Sequence, residues 1–330
     1  MANVDYVMSV RSVSKGAFGD DVGPTKFLRV PANAAPAPDQ AGPAVPWYAE
    51  VQTAGSWKND QGESRGDILI VVHGYNMSAT DVIERHRRVK AGLAALNFKG
   101  VVVSYDWPSD NQALAYLADR HRAKLTALSL VTDGISVLSR KQTPDCPINI
   151  HVLGHSTGAY VIREAFDDAD DTQLKNSAWT ISQLVLAAGD ISSGSMSTGD
   201  PGAASMYNHC VRLTNYSNRH DSVLDISNVK RVGVAPRVGR VGIPIDAPSK
   251  AVNVDCTNYY ALLDTNAQVA ATDQPSGRVG APSHSWYFGN AIFTRDLFNT
   301  LIGIDRQSAP TRATGGDGTI ELIRPPLPVT

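Results

Sequence analysis

Several things this chain lacks narrow its function before any motif is considered. Its 330 residues include only three cysteines, Cys146, Cys210 and Cys256. They are too few and too scattered for a zinc ribbon or a disulfide framework. Long apolar runs are also missing. The longest aliphatic stretches, such as Ile68 to Val72, are about five residues, against the roughly 20 a membrane-spanning helix needs. Met1 to Val10 has neither the basic nor the apolar segment of a secretory leader, so the expectation is a cytoplasmic protein with no integral membrane segment. Charge of one sign is missing too: 30 Lys and Arg face 32 Asp and Glu, a net charge of −2. That balance makes no case for nucleic acid or an anionic membrane as partner. No Walker loop, no G-x-G-x-x-G opening a helix and no H-E-x-x-H occurs, so no cofactor and no metal is expected. His151 and His155 are four apart, but they fall on a strand and a turn rather than on one helix face.

What is present is a core. Hydrophobic residues make up 42% of the chain and charged residues 19%, which excludes general disorder. Val4, Tyr6, Met8 and Val10 alternate with mostly polar neighbours and predict a half-buried strand, with a second around Thr25 to Val30. Prolines at 31, 36, 38, 43 and 46 mark an extended connection. Ile68 to Val72 then reads as a strand covered on both faces, and similar runs recur at Val101 to Ser104, Ile148 to Leu153, Leu184 to Ala188 and Val211 to Thr214. Between them lie predicted helices: one capped by Ser78 and running to about Leu96, one over Asp110 to Ser139, one over Thr157 to Asp168, and a last over Gly289 to Leu301. Buried strands alternating with helices predict βαβ units and a mostly parallel central sheet with helices on both faces. Length alone would suggest about two domains of roughly 150 residues. No interdomain linker appears, and the prediction is one α/β domain. Its core spans about residues 65–303, with N-terminal strands and a Pro/Ala-rich connection before it and an extended tail over 304–330. The Arg-Val-Gly triplets at 231, 237 and 240 read as an irregular basic turn or small hairpin, and Arg85-His86-Arg87-Arg88 as a solvated helix face.

The strongest chemical signal is Gly154-His155-Ser156-Thr157-Gly158 between a predicted strand and a predicted helix. G-x-S-x-G in that context sets a serine on a strained elbow at the carboxyl edge of the sheet, with flanking glycines where a Cβ would collide. Serine needs a base, and the base an orienting acid. In the α/β-hydrolase order these follow the serine as acid and then histidine. His209, His220 and His284 lie downstream. His284 is favoured because it sits in a loop before the last helix. Of Asp190, Asp221 and Asp225, Asp221 is favoured, in the loop after the strand at 211–214, and Asp190 is the runner-up. Oxyanion donors are expected from the backbone N–H of Thr157 and, in the loop His73-Gly74-Tyr75-Asn76, from that of Tyr75. His73 reads as a brace for this loop, and the sequon Asn76-Met77-Ser78 as unused. Trp286, Tyr287, Trp107 and Met206 are candidates to line an acyl pocket.

Taken together, His73-Gly74-Tyr75-Asn76, Trp107-Pro108-Ser109, Gly154-His155-Ser156-Thr157-Gly158, Ala188-Gly189-Asp190-Ile191, Arg219-His220-Asp221 and His284-Ser285-Trp286-Tyr287 resemble the bacterial HGYN-type branch of the α/β-hydrolase superfamily, formerly grouped as DUF900. The resemblance covers about residues 65 to 303. It implies an α/β-hydrolase fold and a serine hydrolase with Ser156, Asp221 and His284 as the triad. Gly189 departs from the proline expected before the aspartate. The functional expectation is a cofactor-free serine esterase acting on a small-molecule carboxylic ester. Because the segment 191–210 is short, a small or partial lid and short- to medium-chain acyl groups are expected. An amidase, lactonase or lipase would use the same residues, and a non-catalytic hydrolase-fold binding module is the reading from another class.

Overall fold

The computed structural model describes residues 4–109, 116–139, 148–172, 174, 179–229 and 235–325. Twelve strands are described: β1 (Val4–Ser14), β2 (Ala17–Pro31), β3 (Ala41–Gly42), β4 (Ser56–Lys58), β5 (Ser64–Val72), β6 (Val101–Asp106), β7 (Ile148–His155), β8 (Ile181–Ala187), β9 (Cys210–Ser217), β10 (Ala251–Asp255), β11 (Arg312–Thr314) and β12 (Ile320–Leu322). They form one sheet in the order β11-β12-β10-β9-β8-β7-β5-β6-β1-β2-β3, with β4 paired to β5 off this path. From β12 to β1 every neighbouring pair is parallel, while β2, β4 and β11 pair antiparallel.

Side-chain alternation builds the layers. Ile68, Ile70 and Val72 of β5 join one core, with helices Ala44–Gly55, Tyr116–Leu130, Thr157–Asp170 and Pro201–Asn208. Leu69 and Val71 join the opposite core, with helices Ala79–Ala95, Thr257–Thr265, Ala267–Asp273 and Ala291–Leu301. Covering both faces is what gives β5, β6 and β8 their apolar runs, while β7 and β9 carry Asn149, His151 and Arg212 within theirs; the five strands expected are β5 to β9. The helix expected after Ser78 begins there with a capping box. Ser78 Oγ accepts from Asp81 N at 3.1 Å, and Asp81 accepts from Ser78 N at 2.9 Å. Among the described residues, no helix is long and apolar enough to cross a membrane.

Three expectations change. β1 is not half-buried, because it lies between β2 and β6. Its polar residues Asp5, Ser9 and Arg11 are buried by pairing: Asp5 with Arg87 and Lys90, and both Ser9 and Arg11 with Asp106. The tail contributes β11 and β12 to the sheet edge, where Arg312 makes a buried ion pair with Asp296 at 2.6 Å. No strand or helix was expected over 251–273, where β10 and two helices lie. Of the long helix expected from Asp110, residues 116–139 are described and carry a wider π-helical turn at Val131–Ile135. Residues 110–115, the first Arg-Val-Gly triplet and Cys146 lie outside the described residues. Cys210 and Cys256 are buried thiols.

Candidate active site

β7 ends at His155 and the next helix starts at Thr157, so the chain must turn within Ser156, which adopts φ 56° and ψ −126°. A non-glycine residue at positive φ is strained and persists only where its surroundings fix it. Ser156 N donates to Ala187 O at 3.1 Å, and its carbonyl accepts from Ala159 N and Asp190 N, both at 3.0 Å. The glycines answer to close approach. A Cβ on Gly154 would lie 3.0 Å from Ala159 Cα, one on Gly158 2.6 Å from His73 O, and one on Gly74 2.7 Å from Ser156 Cβ.

The loop after β9 and the helical turn Pro282–Ser285 are tied together. Asn218 Nδ2 donates to Ser283 O at 3.0 Å, and the hydroxyls of Ser222 and Ser283 lie 2.9 Å apart. This fastening sets Asp221, fully buried, against His284. Asp221 Oδ1 accepts from Leu224 N at 3.0 Å, and Oδ2 lies 2.7 Å from His284 Nδ1. The contact fixes the imidazole with Nδ1 protonated and leaves Nε2 as its basic nitrogen. The competing residues are engaged elsewhere. Asp190, the runner-up acid, sits 3.1 Å from Arg237 Nε, and Asp225 is exposed beside Arg240. His209 bonds Asp170 at 2.7 Å and stacks on Trp179, while His220 is exposed.

His73 is a brace. Its Nε2 accepts from Trp107 N at 3.1 Å, its Nδ1 donates to Gly74 O at 2.8 Å, and its ring stacks on the Trp107 indole. Burial lowers its pKa despite the nearby Asp106 carboxylate, which fits a neutral ring making both bonds. The loop so held brings Tyr75 to the same cavity as Ser156, Thr157 and His284.

Two residues of this cavity, His155 and Arg85, were not expected from the sequence to belong to the site. His155, buried beside the serine, donates from Nε2 to His284 O at 3.0 Å, so His284 is held through its backbone as well as its ring. Burial, then the charges of His284 and Arg85, push the His155 pKa well below the ordinary value. Arg85, expected on a solvated face, lies 3.3 Å from His155 Nδ1 and borders the cavity. The solvated reading fails for its neighbours too. His86 is buried against Ser104, and Arg87 reaches the buried Asp5. The helix stripe Val82, His86, Val89, Leu93 faces inward, and Arg85 flanks it.

The cavity is about 320 Å³. Its apolar wall is Val223, Leu224 and Ile226, from the helix Ser222–Val229. None of the aromatic and Met candidates lines it. Trp107, Trp286, Tyr287 and Met206 are 0–1% exposed and packed in the two cores, Trp107 against His73 and Trp286 against Tyr287. Nor does the segment 191–210 form a lid. Its helix Pro201–Asn208 packs into the core beside the helix after Ser156, burying Ala203, Met206 and Tyr207.

A family model described as alpha/beta hydrolase of unknown function (DUF900) matches residues 52–256. No curated protein sequence matches the chain. Among solved structures, a protein assigned as a cell-surface hydrolase from Lactobacillus plantarum WCFS1 is similar at 14% identity and TM-score 0.33, covering 58% of this chain and 81% of that one. A lipase-esterase related protein from Clostridium acetobutylicum is similar at 10% identity and TM-score 0.30, covering 64% and 93%. Phospholipase PlaB from Legionella pneumophila is similar at 16% identity and TM-score 0.29, covering 52% and 43%.

Proposed function

The chain belongs to the α/β-hydrolase family of unknown function matched over residues 52–256, and from that premise we propose that it is a serine hydrolase cleaving carboxylic esters. One observation carries this reading. The buried Asp221 carboxylate is 2.7 Å from His284 Nδ1, on a cavity that His284 shares with Ser156 at its strained elbow. In the proposed reaction Ser156 Oγ attacks the ester carbonyl carbon and its proton passes to His284 Nε2. Asp221 stabilises the imidazolium, and the Tyr75 and Thr157 amides receive the oxyanion. The C–O bond breaks, the alcohol leaves with the proton from His284, and water then hydrolyses the acyl-enzyme by the same steps. A cavity of about 320 Å³ lies at the small end of ligand sites, roughly 300–1,000 Å³, which favours short to medium acyl groups.

The test is hydrolysis of p-nitrophenyl esters across acyl lengths by wild type and Ser156→Ala. The expected result is a maximum at short chains and a loss of about 10³-fold or more in the variant. Equal rates in both proteins, or none in either, would overturn the ester-hydrolase reading.

A further inference from the structure

The Arg85 guanidinium borders the catalytic cavity without a carboxylate of its own. Arg87 and Arg88, on the same helix, are held by Asp5 at 2.8 Å and Glu84 at 3.1 Å. Arg85 forms no ion pair among the described residues. Its contacts are long or neutral: His155 Nδ1 at 3.3 Å, Ser285 Oγ at 3.4 Å, and the face of the Phe288 ring at 4.8 Å. The other charges near the cavity are already engaged. Asp190 sits against Arg237 and Asp221 against His284. On Arg85's own helix, Asp81 closes the capping box and Glu84 takes Arg88, both beside an outer cleft that Arg85, Asn76 and Gly280 line as well. Burial lowers the Arg85 pKa to about 10, with Asp81 and Glu84 opposing, so it remains a cation at neutral pH. A half-desolvated guanidinium is costly unless acceptors meet its N–H fork. A carboxylate, like a phosphate, fits that fork with two parallel bonds.

We propose that Arg85 selects the substrate: the natural ester carries a second group, a carboxylate, which Arg85 receives while Ser156 attacks the ester carbonyl. This rests on the ester-hydrolase reading above. Arg85 and Ser156 line one cavity of about 320 Å³, and a cavity of that size takes a substrate whose carboxylate and ester are joined by a short spacer. A single cation matches one negative charge. A dianionic phosphate would leave a second charge unneutralised in the same pocket.

The test compares matched pairs of esters, with the added carboxylate on the acyl side (p-nitrophenyl butyrate against mono-p-nitrophenyl glutarate) or on the alcohol side (phenyl acetate against 4-carboxyphenyl acetate). A phosphonate-bearing analogue forms a third arm. Wild type is expected to favour the carboxylated member of at least one pair. Arg85→Met is expected to lower that preference ratio by about 10- to 100-fold. Arg85→Lys, which keeps the charge and loses the fork, is expected to fall between them. An unchanged ratio in Arg85→Met, or a wild-type preference for the phosphonate, overturns the assignment. Calorimetric titration with glutarate separates failure of this proposal from failure of the ester-hydrolase reading. If wild type cleaves no ester, binding of glutarate that Arg85→Met loses still supports the anion site. Equal binding, or none in either protein, overturns it.

Discussion

Two buried clusters in this molecule are built from the same parts, a carboxylate, a histidine and an arginine, and they differ in how completely the parts satisfy one another. At the end of β6, Asp106 accepts from Arg11 Nε at 2.8 Å and Ser9 Oγ at 2.7 Å, with His73 Nε2 at 3.4 Å. Arg11 Nη2 donates onward to Met77 O at 2.7 Å. Each charge there has its opposite, and the histidine serves as a wedge. Around Ser156, among the described residues, Asp221 has His284 and one backbone amide, and the side chains that touch Arg85 are neutral. A saturated cluster holds chain segments together. An unsaturated one keeps the capacity to move a proton or receive a charge, at a cost in stability that the surrounding core must offset.

This contrast makes the two clusters separable by mutation. The largest expected effect is catalytic. His284→Ala and Asp221→Asn are each expected to lower ester hydrolysis by about 10³-fold or more without abolishing the fold, as checked by kcat/KM together with circular dichroism. Next comes Asp106→Asn, which leaves the buried Arg11 with only the exposed Asp20, 3.8 Å away, as a counter-charge among the described residues. It is expected to cost about 3–5 kcal/mol in urea unfolding, as breaking a buried pair does, and a loss below about 1 kcal/mol would contradict the saturated-cluster reading. A smaller effect is pH-dependent. His73, His86 and His155 all have pKa values lowered in the fold, in each case mainly by burial. The unfolded chain therefore takes up protons first as pH falls below about 6.5. Stability is expected to be greatest above that pH and to decline below it, by up to about 1.4 kcal/mol per pH unit for each histidine. His155→Gln should make the decline shallower, and unfolding curves from pH 8 to pH 5 that show no slope would contradict it. Smallest is Ser78→Ala, at a cap outside both clusters, with an expected cost of about 1 kcal/mol in the same unfolding assay and unchanged ester kinetics.

The parts of this architecture legible in the sequence are those with a strictly local cause. The elbow at Ser156 demands glycines at 154 and 158 because backbone and side chains close on them, so the motif announces itself. β5, β6 and β8 show as apolar runs because helices cover both faces, and β7 and β9 show less sharply because Asn149, His151 and Arg212 interrupt them. Chain order after the serine narrowed the acid and base to a few candidates, and among them the structure brings Asp221 and His284 together. What depended on distant partners was not legible. The phase of the helix Ala79–Ala95 shows which side faces inward, but not that Arg85 meets His155, 70 residues away. Asp5, Ser9 and Arg11 looked solvent-facing because their partners lie as far off as Asp106. β11 and β12, three residues each, are too short for any periodicity to show. Trp107, Trp286, Tyr287 and Met206 lie near motifs and were read as pocket walls, yet large side chains beside a motif serve the core equally well, and here they do.

The central claim is that Ser156, activated by His284 and Asp221, takes up an acyl group. Its most direct test is acid quenching during turnover of a p-nitrophenyl ester, followed by peptide mass spectrometry. The account predicts one acyl group per chain on the peptide containing Ser156, absent in His284→Ala. An acyl group on any other residue, or no adduct while ester is being consumed, would contradict it.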